Sequence, residues 1–167
     1  MKKRILSLAL SAAMALTMLP TGAFAASDKG KPPVYNKATG CYEISTPDQL
    51  LYLSGSWRDG APRDGHYVLT ADIDMTGVKG FKPIASKKDQ GFTGTFDGQF
   101  HAIKGLRVEY EKKYAGLFGY VGNQDDQAYI KDVALLDCYV TGQQNVGALA
   151  GVNYGTITGC VVTGEVK

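Results

Sequence analysis

The sequence has little with which to build a metal or redox centre. Among its 167 residues there are two histidines, His66 and His101, and three cysteines, Cys41, Cys138 and Cys160. The histidines lie far apart and no C-x-x-C pair exists, so the N/S ligand sets of zinc have no counterpart. An odd cysteine count leaves at least one thiol over, even where export permits a disulfide. The peptidase signature H-E-x-x-H is missing. So is a long membrane span: the one extended apolar run, "ILSLALSAAMALTMLP", falls short of the ~20 residues a spanning helix needs. Basic charge is scarce as well. Set aside Lys2, Lys3 and Arg4, and 15 basic residues face 16 acidic ones, which excludes a nucleic-acid patch built on net charge.

What is present begins with a basic start, the apolar run, and the small-x-small site Ala23-Phe24-Ala25. That pattern predicts a secretory signal peptide over 1–25. The next segment, 26–40, is polar and rich in Gly, Pro and Lys, and reads as a flexible leader. In "STPDQLLYLSGSW", Thr46 is an N-cap, Pro47 suits the first helical position, and Gln49 completes a capping box. Leu50, Leu53 and Trp57 share one helical face, which predicts a short amphipathic helix ending near Gly55 or Gly60. "YVLTADIDM" alternates and predicts one strand with Tyr67, Leu69, Ala71, Ile73 and Met75 facing inward. Beyond it no helix signal appears.

The remainder repeats. Ile103, Ile130 and Ile157 are spaced by 27 and 27, inside "IKGLRV", "IKDVAL" and "ITGCVV". Upstream of each stands a Gly-ended block: "TFDG", "GLFG" and "ALAG". The second copy carries an extra polar segment, "GNQDDQAY", expected to be an exposed loop. Short strands in fixed order with variable loops mark a solenoid. The expected fold is therefore all-β, a right-handed parallel β-helix over 41–167 with a short N-terminal capping helix. Equivalent side chains then stack in columns, and "YAGLFGYV" and "VGALAGVN" become one wall of successive coils. An antiparallel sandwich would not need the three-column match.

These residues resemble the GLUG-repeat family of bacterial secreted and surface proteins, also found ahead of the protease domain of immunoglobulin A-cleaving metalloproteases. The resemblance rests on the helix after Thr46, "YVLTADIDM", "FTGTFDGQFHAI", "YAGLFGYV" and "VGALAGVN" in that order, and covers roughly 44–166. Phe100 and Ala148 stand where the family pattern has glycine. The resemblance implies a β-helix module on an exported bacterial protein. Family members often carry further repeats or domains, so the 41–167 domain is also open to being a piece of a longer one.

Candidate chemistry is thin. Asp72 and Asp74, at i and i+2, suit a calcium ion or acid/base work on a sugar, but equally two solvated charges. Asp97 and His101 lie in "FDGQFH", where Asp-Gly is a turn signal. Cys138 and Cys160 open "CYVTG" and "CVVTG" and would stack under a 22-residue stagger. Under the 27-residue stagger, Cys160 instead joins the column of Leu106 and Val133 as a core hydrophobe. Tyr110, Tyr114 and Tyr139 are candidates for sugar or protein contacts, or plain wall residues. No catalytic, cofactor-binding or metal-ligating set is expected. The function expected is adhesion or binding at the cell surface without catalysis, the partner being a glycan or protein. The alternatives are a polysaccharide lyase or hydrolase of the β-helix type, or a structural stalk. An open edge over Cys160–Val166 is expected to invite self-association.

Overall fold

The computed structural model describes residues 30–55, 61–123 and 125–167. The proposed signal peptide and Trp57 lie outside them. The chain forms a parallel β-solenoid of about three turns with very little helix. Its elements are β1 (Val34–Asn36), β2 (Cys41–Ile44), α1 (Pro47–Leu53), β3 (His66–Leu69), β4 (Ile73–Asp74), β5 (Thr95–Asp97), β6 (Ala102–Lys104), β7 (Arg107–Ala115), β8 (Phe118–Val121), β9 (Tyr129–Lys131), β10 (Ala134–Val146), β11 (Ala150–Asn153), β12 (Thr156–Thr158) and β13 (Val161–Val166).

Three walls surround one core. The first runs β2-β3-β5-β9-β12, all parallel, with β1 added antiparallel to β2. The second runs β4-β6-β10-β13, and β7 also pairs with β10. The third pairs β8 with β11 and is extended by bridges from Ile84 and Phe92. As read from the sequence, "YAGLFGYV" and "VGALAGVN" share this third wall, with Phe118 opposite Ala150 and Tyr120 opposite Val152.

The segment read as a leader is not flexible throughout. Val34–Asn36 is a strand, because Asn36 closes a turn back onto β2: its carbonyl accepts from Gly40 N–H and its side-chain amide donates to Glu43. The helix starts as expected: the Thr46 hydroxyl accepts from Gln49 N–H, and Gln49 Oε1 accepts from Ser45 N–H at 2.7 Å. It ends at Leu53, with Ser54 extended and Gly55 at φ +90, so Gly55 rather than Gly60 marks the stop. Leu50 and Leu53 are buried.

"YVLTADIDM" is two strands rather than one. The chain turns a corner at 70–72, so β3 joins the first wall and β4 the second. Tyr67, Leu69, Ile73 and Met75 are all buried, since the alternation carries through the corner.

The 27-residue stagger holds for only two of the three copies. Ile130 pairs with Ile157 and Leu135 with Val162. Ile103, however, pairs with Leu135 and Ile73, on a different wall from Ile130. The residue in the Ile130 column one coil earlier is Phe96. "TFDG" likewise belongs to the first wall and is not the counterpart of "GLFG". The physical reason is coil length. The coil before Ile130 holds the inserted segment, which shifts every later position, while β6 on one wall and β9 on another each bury a central isoleucine.

Corners use left-handed residues. Asp132 (φ +53) and Gly159 (φ +62) occupy the same corner in successive coils. Asp tolerates this region better than most residues, and a Cβ on Gly159 would run into the Asp132 carboxylate.

Candidate functional site

The acids singled out from the sequence serve the corners. Asp72 sits at the β3–β4 corner and reaches up one coil: its Oδ1 accepts from Ala102 N–H at 3.0 Å and lies 3.0 Å from His101 Nδ1. The Ala102 N–H, then His101, hold its carboxyl below the usual range. Asp74 turns instead to its own loop and accepts from Thr76 N–H at 2.9 Å; Thr76 lowers its pKa. The two carboxylates thus address different partners. Asp97 does not meet His101. It is nearly buried and pairs with Lys131 Nζ at 2.7 Å while accepting from Gln99 N–H at 2.9 Å. Burial pushes its pKa up, but Lys131 and Gln99 outweigh that and leave it lowered. Among the described residues no three His, Cys, Asp or Glu side chains cluster as a metal site.

Cys41, Cys138 and Cys160 are free thiols. Cys138 is buried opposite Gly164, and burial raises its pKa. Cys160 lies near Ile130 and Thr158 carbonyls, its pKa also raised by burial. Its place follows the 27-residue stagger, and it does not stack on Cys138. Leu106 lies beside Tyr139, whose N–H it accepts, so it is not in the Val133 column.

The tyrosines separate by position. Tyr110 packs against the core. Tyr139 has cations on its ring, with Arg107 4.3 Å and Lys167 5.2 Å from its centroid. Tyr114 belongs to a cluster that the sequence reading missed. Its ring meets Tyr120 edge-on at 5.4 Å and 88°, and Tyr120 lies 5.7 Å from Tyr154 at 30°. Tyr120 is 4% exposed and Tyr154 52%. Burial, with the Tyr154 hydroxyl beside it, pushes the Tyr120 phenol up to about 12.

Tyr120 and Tyr154 line a cleft of about 240 Å³ with Lys88, Asn123 and Asp125. The signal was visible but weak: the third-wall phrase contains Tyr120, and Tyr154 follows the next copy directly. What links them is the stacking of coils. A second, more apolar hollow of about 400 Å³ lies at the start of α1. There Gln49 Oε1 is already engaged with Ser45 and Thr46.

No family model matches the chain. It is 34% identical to halomucin of Haloquadratum walsbyi over 143 residues, which is 77% of this chain and 2% of that protein. A proposed Gly-rich membrane protein of Evansella cellulosilytica is 33% identical over 101 residues, 55% of this chain and 11% of the relative. The chain therefore spans only a small part of either relative. Among solved structures, a proposed immunoglobulin A1 protease from Bacteroides ovatus superposes with a TM-score of 0.59 at 22% identity, over 75% of this chain and 38% of that one. That likeness establishes the shared fold.

Proposed function

We propose that the chain is a GLUG-repeat β-helix module of an exported surface protein, serving adhesion or binding and not catalysis. The observation that carries this reading is the employment of its acids. Asp72, Asp74 and Asp97 each accept hydrogen bonds from backbone N–H groups at or near corners, and Asp97 is further neutralised by Lys131. Depressed carboxylate pKa values suit such structural acceptors; a general acid needs the opposite shift. The surface placement is supported by the likeness to halomucin and to a protein named as a Gly-rich membrane protein. The protease likeness supports the GLUG assignment at the level of fold, and its activity is not carried over. Among the described residues no helix is long and apolar enough to cross a membrane.

The test has two parts. The full chain, expressed with its own N-terminus in a bacterial host, should be labelled by antibody on intact cells. The purified protein should bind on an array of glycans and extracellular proteins while releasing no reducing ends or unsaturated sugars from a polysaccharide panel. Confinement to the cytoplasm overturns the surface placement. Polysaccharide breakdown that Asp72→Asn or Asp97→Asn abolishes overturns the non-catalytic reading in favour of a β-helix lyase or hydrolase.

A further inference from the structure

The irregularities of the coils converge on one place. The inserted segment after β8, which only one coil carries, forms one side of the tyrosine cleft through Asn123 and Asp125. The long excursion between β4 and β5 forms the other through Lys88. The floor is Tyr120 from one coil and Tyr154 from the next. From this juxtaposition we infer that the cleft is a binding site for a neutral saccharide, whose pyranose ring stacks on Tyr154 while its hydroxyls meet Lys88, Asp125 and the phenol oxygen. This rests on the binding-module reading above and names its ligand class.

Four features favour that class. First, the platform is rigid. Tyr154 is backed by the buried Tyr120, Tyr120 is braced edge-on by Tyr114, and Tyr154 N–H is fixed to the Val121 carbonyl at 2.8 Å. Preorganised aromatic surface binds at low entropic cost. Second, Tyr154 lines the cleft and is half exposed, so it offers solvent an aromatic surface with a polar tip. A pyranose has an apolar C–H face and a polar rim, which complements it. A quaternary ammonium wants several ring faces converging in a cage. Here Tyr120, tilted at 30° to Tyr154, is itself buried, so of the rings that line the cleft only Tyr154 is exposed.

Third, the rim carries one cation and one anion. Lys88 alone would favour an acidic sugar or a phosphate backbone, but Asp125 opposes both. Both side chains suit hydroxyls, which donate and accept. Fourth, the loop is held in place without using these groups. Asn123 Oδ1 accepts from Asp125 and Asp126 N–H at 2.8 and 2.6 Å, and its Nδ2 donates to Asp126 at 3.0 Å. The volume, about 240 Å³, falls below the roughly 300 Å³ where drug-sized pockets begin. It suits a ring or two of a longer chain, held open at the side.

The experiment titrates the full chain with gluco-, xylo-, manno- and chito-oligosaccharides, with sialyllactose, choline and an oligothymidylate as the other arms. Neutral oligosaccharides should bind, with chemical-shift changes confined to Tyr114, Tyr120, Tyr154 and the 122–129 segment. Tyr154→Ala should weaken binding at least tenfold at unchanged melting temperature, because that ring is half exposed. Tyr154→Phe, which keeps the ring and removes the phenol oxygen, should weaken binding measurably but less than Tyr154→Ala does. The inference is overturned if no neutral oligosaccharide binds, if Tyr154→Ala binds as well as the parent, or if choline, sialyllactose or the oligonucleotide is preferred. Any of these leaves the surface-module reading standing, since cell labelling and array binding to proteins test that separately.

Discussion

Phe100 has φ +62 and a ring 82% exposed, next to Gln99 at φ +50. The pair is closed by His101 N–H on the Gly98 carbonyl at 2.7 Å, the φ pattern of a type I′ turn, which favours Gly and Asn. This accounts for the glycine that the GLUG pattern has at Phe100. The left-handed region costs an ordinary residue roughly 1–2 kcal/mol, and glycine returns roughly 0.5–1 kcal/mol of that as chain entropy. Phe100→Gly should therefore raise the denaturation midpoint, by up to about 1 kcal/mol of stability. A lowered midpoint would mean the ring has a partner in the fold. Asp97 makes a second prediction at this scale. Its lowered pKa means that its stabilising contribution is present above the ordinary carboxylate range and is lost as pH falls through the folded value. Lys131→Met should lower the urea midpoint at pH 7 and do so less at a pH below the lowered folded-state pKa of Asp97, where the protonated carboxyl no longer needs an ammonium. An equal loss at both pH values would count against the pair.

At the scale of the element, backbone closeness fixes where side chains are allowed. Gly98 follows β5, and a Cβ there would strike the Asp132 carbonyl of the next coil. Gly98→Ala should cost about 1–3 kcal/mol through overpacking, measured by thermal melts. A neutral result would show that the corner can widen. The register is tested by a contrast. Val133 is 1% exposed and Thr158 lies on the outer face of β12. Val133→Asp should cost more than about 3 kcal/mol, as an unpaired carboxylate in a core does. Thr158→Asp should stay within about half a kcal/mol. Equal tolerance would refute the wall assignments.

Across the whole molecule the two ends differ. At one end β2 is covered by β1, and α1 packs Leu50 and Leu53 into the core. At the other, β11, β12 and β13 each pair on one side only among the described residues. The column Ile73–Ile103–Leu135–Val162 records the difference: the first three are at most 1% exposed and Val162 is 42% exposed. Hydrogen exchange should follow it. Amides of β10, flanked by strands on both sides, should outlast those of β13, which pairs with β10 alone among the described residues. Protection of β13 equal to that of β10 in dilute protein would mean that the edge is already covered by another copy.

Much of this was legible from short-range pattern. The capping box at Thr46–Gln49, the alternation from Tyr67 to Met75, the shared wall of "YAGLFGYV" and "VGALAGVN", and the exposure of 125–127 within the insertion, though not of its buried Ala128, all depend on local pattern, whose burial period is set by backbone geometry. The sequence thus determined strands, a stacked architecture and a helix at the first coil. Tertiary structure decided which strand lies above which. Strands β6 and β9 each bury a central isoleucine between less buried neighbours, so "IKGLRV" looks like "IKDVAL" although Ile103 stacks on Leu135 and Phe96 on Ile130. Only the three-dimensional closure of coils with unequal corners distinguishes those registers. The same closure brought Tyr154 against Tyr120 and Asp72 beneath Ala102, contacts between coils that local spacing does not encode.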